Sequence, residues 1–139
     1  VFRKLSNKNG NIINKFLEML RAETNSNNEK TKSFIKDFNY HLEILSNFSK
    51  WIEEKSKTEK DDVSAAANDF LKTLGYVSIA YAWLKVLEVS FKDYNENKTF
   101  YDNKINTAKF YFEKVLPRAE HHYKSAISGS SNIMNFKFN

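Results

Sequence analysis

A chain of 139 residues, 41% hydrophobic and 15% aromatic with Phe alone at 12, is long enough for one domain with its own core. The absence of cysteine excludes disulfides and thiolate-held zinc or iron–sulfur centres. A formal charge of +5 is spread over 22 basic and 17 acidic residues, without the basic stripe and interleaved aromatics of a nucleic-acid surface.

The first nine residues, VFRKLSNKN, lack periodicity and end at Gly10. From Asn11 onward, Ile13, Phe16, Leu17 and Leu20 recur at helical spacing and predict a short first helix. The polar run TNSNNEK interrupts it and offers Asn27 or Asn28 as a cap for the next helix. Ile35, Phe38, Leu42, Leu45 and Ile52, flanked by Phe34, His41 and Phe48, predict a long second helix ending near Lys57. KTEKDD reads as a linker in which Asp61 or Asp62 caps the third helix.

In that third helix Ala67, Phe70, Leu74, Val77, Tyr81 and Leu84 alternate steps of three and four residues, the seam spacing of packed helices. A second row, Ile79, Trp83, Val86 and Leu87, widens the stripe, so this helix is expected to be buried on two sides and central. Lys85 and Glu88 interrupt its most apolar stretch, short of the ~20 residues of a membrane span. After DYNENKT, the row Ile105, Ala108, Phe112, Val115, Ala119, Tyr123 and Ala126 predicts a fourth helix. Pro117 lies inside it and removes one backbone donor, which predicts a bend near Glu113 without an end to the helix. No strand-like alternation appears before the tail NIMNFKFN. The expected fold is all-α, an up-down four-helix bundle over residues 10–128 with a tail at 129–139.

No glutamate is followed three residues later by histidine, so the di-iron bundle pattern is missing, as is the paired-histidine zinc-protease pattern. His41 sits on an apolar flank and reads as a packed side chain, and the adjacent His121 and His122 diverge by ~100° on a helix. Gly10, Gly75 and Gly129 are too scattered to form a phosphate loop. Met19 and Met134 read as gap-filling side chains, and Trp51 and Trp83 as packing. Asn47 and Asn97 begin Asn-x-Ser/Thr matches that matter only in a secreted protein. No residue is assigned a catalytic, cofactor-binding or metal-binding role.

DFLKTLGYVSIAYAWLKVLEV, followed by YDNKINTAKFYFEKVLPRAEHHYKSAISGSSNIM, resembles the C-terminal accessory domain of a subgroup of FAD-dependent acyl-CoA dehydrogenases. The similarity is carried by Leu74, Gly75 and Trp83, then by Lys104, Thr107, Ala108, Phe110, Leu116, Pro117, Gly129 and Met134. Ile105, Tyr111, Ser128 and Ser130 depart mildly from the pattern. The resemblance implies a parent oxidoreductase whose core holds FAD and forms the α,β double bond of acyl-CoA thioesters. Residues 1–9 would then be the lead-in from that core. It implies as partners the dehydrogenase core of the same chain, a second copy in a homo-oligomer, and acyl-CoA through the parent, while the scattered charge and the broken apolar run lead us to expect no nucleic acid and no membrane span. A cytoplasmic, reducing compartment is expected. The competing reading is a free-standing helical interaction module without enzymatic activity.

Overall fold

The computed structural model describes residues 10–24, 29–135 and 137, all helix or short connection. The lead-in and the expected caps Asn27 and Asn28 lie outside the described residues. Helix α1 (Gly10–Glu23) buries Ile13, Leu17 and Leu20. It stops where Thr24 turns its hydroxyl back onto the Leu20 and Arg21 carbonyls, at 3.0 and 3.1 Å. Helix α2 (Lys32–Lys55) buries the expected stripe of Phe38, Leu42, Leu45 and Ile52 together with its flank of Phe34, His41 and Phe48, and only Ile35 of the expected row is half-buried.

The expected linker contains a short helix, α3 (Lys60–Ala65), which abuts α4 (Ala67–Lys92). Asp61 and Asp62 lie in the first turn of α3, whose N-cap position is Glu59, so neither is the expected cap of the long third helix, and Ala66 joins the two helices by accepting from the Phe70 amide at 2.9 Å. Helix α5 (Lys98–Phe110) starts at Asn97, whose side chain accepts the Phe100 amide at 3.1 Å, a stabilising N-cap worth about 1 kcal/mol. A π-turn (Tyr111–Val115) carries the chain into α6 (Arg118–Ile127), and α7 (Ser131–Met134) closes it.

Pro117 bends the register without breaking the helix. Leu116 and Pro117 keep right-handed helical dihedrals, and the Leu116 amide reaches the Tyr111 carbonyl five residues back at 2.9 Å. A proline ring crowds the carbonyl four residues before it, here Glu113, and widening that turn by one residue relieves the clash. The extra residue also rotates the helix, so Tyr111, Phe112, Leu116 and Ala119 are all buried while Val115 is half-exposed.

Pairwise contacts give the topology. Phe38 meets Tyr81 and Phe48 meets Phe70, so α2 and α4 run antiparallel. Tyr111 bonds Tyr76 and His122 bonds Asp69, so the α5–α6 arm runs antiparallel to α4. Phe34 meets Phe112 and Phe48 meets Tyr123, so that arm is parallel to α2. This is the expected up-down bundle with α4 at its centre, packed on α2, α5 and α6. Phe48 anchors the core, its ring edge-on to Phe70 at 5.2 Å and tilted against Tyr123 at 5.4 Å.

Candidate functional site

The histidines are held by the bundle and do not converge. His41 is buried, and its Nδ1 donates to the Asp37 carbonyl at 2.8 Å, leaving Nε2 without a partner. His122 on α6 contacts Asp69 of α4 at 2.7 Å and stacks on Tyr76 at 5.8 Å. Its neighbour His121 is exposed, with its ring edge-on to that of His122 at 5.7 Å. The pair orients an imidazole, and the Thr73 hydroxyl, one turn on from Asp69, is turned onto the Asp69 carbonyl at 2.8 Å. Among the described residues no three His, Cys, Asp or Glu side chains stand together as metal ligands.

Asp62 makes the most strongly perturbed carboxylate. Its Oδ1 accepts the Ser130 hydroxyl at 2.6 Å and the Ser130 amide at 2.8 Å, and its Oδ2 lies 3.5 Å from the Lys55 ammonium. The Ser130 hydroxyl and amide, in that order, lower its pKa to about 2. Gly129 makes the approach with φ of 79°, and a Cβ there would lie 3.3 Å from the carboxylate. The clamp ties the chain end to the α2–α3 corner beside an open polar cavity of about 420 Å³. It is a structural tie that sequence reading missed, since Ser130 lies in the expected tail. The Asp62–Ser130 contact thus crosses the expected 128/129 boundary.

The largest unexplained feature is on α4. Its inner row, Phe70, Thr73, Val77, Ala80, Leu84 and Leu87, is buried. The opposite row is also apolar or small: Leu71, Gly75, Ile79, Ala82, Val86 and Val89. Leu71, Ile79 and Val89 are about half exposed, at 52, 49 and 51%. Of the second row expected to be buried, Leu87 falls on the inner side, Trp83 and Val86 are only half-buried and Ile79 is exposed, so the expectation of burial on two sides fails at Ile79 and holds only in part elsewhere. Ala67–Lys92 is long and apolar enough, by length and composition, to cross a membrane. Packing on α2, α5 and α6 accounts for its inner row but leaves the outer row unexplained. Where the outer row meets α5, a shallow groove of about 400 Å³ opens between Val86, Val89 and Phe100, edged by Lys85 and Lys104.

Both cavities are open and shallow, among the described residues no glycine-rich turn lines either of them, and Gly75 lies mid-helix, so these two sites do not fit a flavin dinucleotide. No curated protein and no solved structure matches the chain. The family described as "Acetyl-CoA dehydrogenase C-terminal like" matches residues 11–137, which takes in the described helices from Asn11 onward. The chain therefore belongs to the acetyl-CoA dehydrogenase C-terminal-like family, as a C-terminal helical domain of acyl-CoA dehydrogenase-like proteins.

Proposed function

We propose that this chain is the C-terminal domain of a longer FAD-dependent acyl-CoA dehydrogenase, and that its own part is structural. The observation that carries this reading is the outward apolar row of α4 in a domain of this family. A row at seam spacing on the side facing away from its own bundle suits a domain that another layer covers. In the parent, FAD and the acyl-CoA would sit in the preceding core, which supplies the redox chemistry. This domain's residues would hold the core's position through the outer face of α4.

Two measurements test the proposal. The 139-residue chain should be strongly helical, colourless after gel filtration, and inactive toward acyl-CoA with an artificial electron acceptor. A stoichiometric yellow flavin on the isolated chain would refute the structural role. In the longer polypeptide, Ile79→Asp should loosen the enzyme and lower its melting temperature. The same change should leave the isolated domain's melting temperature nearly unaltered, because Ile79 is half exposed there. Equal effects in both would mean that α4 is not covered by the parent.

A further inference from the structure

We infer that the groove between α4 and α5 receives a helix of the dehydrogenase portion of the same polypeptide, apolar along one face and carrying a carboxylate on the edge that meets Lys104. The inference rests on the reading above and adds the shape and charge of the occupant. The shape follows from spacing. Gly75, Ile79, Ala82, Val86 and Val89 alternate steps of four and three residues, the pattern that presents knobs and holes to another helix. Gly75 fits the same geometry: nothing lies within 4 Å of a Cβ built on it, so the bundle itself gives no reason for a glycine there. The gap lets a second backbone come close to α4. The surface is also concave, since Phe100, half exposed on α5, stands beside Val86 and Val89 as the second wall. A ridge-shaped helix fills such a groove better than a flat bilayer does.

Charge selects among helices. On the α1 side of the groove Lys85 is already answered by Glu23 and Glu88, each at 3.5 Å. On the α5 side the Lys104 ammonium lies over the Phe100 ring at 5.1 Å, and among the described residues no carboxylate pairs with it. One edge is thus neutralised and the other is cationic, which asks for acid on one edge of the partner and fixes its direction. A second copy of this chain is disfavoured, because it would bring the same lysine and a like net charge of +5 to the contact.

The test uses two designed helical peptides of the length of α4 with the same Leu/Ala seam, one edged by Glu and one by Lys. The Glu-edged peptide should bind the chain at least about tenfold more tightly at low salt, the ratio that one charge contact of 1.4 kcal/mol gives. It should shift the NMR signals of Ile79, Val86 and Val89, and Lys104→Glu should reverse the preference. Equal binding of both peptides, binding elsewhere on the bundle, dimerisation through Val89, or preferential binding to anionic lipid vesicles would each overturn the inference. A photo-crosslinker at Val89 in the longer polypeptide separates this inference from the reading beneath it. Capture of a dehydrogenase helix with no acidic edge overturns the inference and spares the proposed function. No capture within the dehydrogenase portion overturns both.

Discussion

Replacing Phe112 with alanine probes the least obvious part of the fold, the π-turn that sets which side of the arm faces inward. Phe112 is 4% exposed and its ring meets Phe34 edge-on, with centroids 5.2 Å apart and planes at 77°. Truncating a buried Phe costs about 3 to 5 kcal/mol through lost transfer energy and the cavity left behind. About 0.5 to 1.5 kcal/mol of it belongs to the aromatic pair itself. For a domain of this size that loss lowers the melting temperature by roughly 10 to 17 °C. Thermal melts by circular dichroism would read it, and a cycle with Phe34→Ala would isolate the pair. Phe110, two residues earlier, is 59% exposed, so Phe110→Ala should change stability by no more than about 0.5 kcal/mol. If both variants melted alike, the phase assigned to the π-turn would be wrong.

Three further outcomes are expected. Because the folded pKa of Asp62 is depressed to about 2, its stabilisation is complete above the ordinary value of 3.8 and is lost as pH falls toward 2. In Asp62→Asn the acid-induced drop in melting temperature across that window should flatten, and an unchanged profile would rule the clamp out. Burial and then the neighbouring Tyr76 raise the Tyr111 pKa to about 12, so this phenol favours the folded state fully below pH 10 and progressively less toward pH 12. Tyr111→Phe removes its 2.9 Å bond to the Tyr76 carbonyl, should cost about 0.5 to 1.5 kcal/mol at neutral pH, and should make the alkaline decline shallower. Gly75→Ala should stabilise the isolated chain by about 0.5 to 1 kcal/mol, since the helix gains propensity and the new methyl meets nothing. A destabilised Gly75→Ala would show that the glycine serves the bundle after all.

The long helices were legible because their apolar residues recur at the helical period over several turns, as in the inner row of α4. In the arm Ile105, Ala108, Phe112, Ala119 and Ala126 are buried as their spacing predicts, but the π-turn, which buries Leu116 in place of Val115, was not legible, because it adds a residue with no composition of its own. Pro117 signalled that something must give at Glu113, and the wider turn is how the chain gives. The KTEKDD stretch looked like a linker because a short helix offers too few turns to show a period, although its acidic first turn was visible. The Asp62–Ser130 clamp joins residues too distant in sequence for any local pattern to reveal. The outer row of α4 was visible as a second apolar row, but only the packing of α2, α5 and α6 tells which row the bundle consumes. The family pattern, by contrast, was legible from residues such as Leu74, Gly75, Leu116 and Pro117, and the match over 11–137 bears it out.

The most direct test of the central claim is the thiol labelling rate of Ile79→Cys, placed in a chain that has no cysteine of its own and followed by mass spectrometry at that position. In the 139-residue chain the new thiol should label quickly, as befits a half-exposed position, and in the longer dehydrogenase polypeptide proposed above it should be strongly protected. Equal rates in the two would contradict the account, because the outer face of α4 would then be as open in the parent as it is in the domain alone.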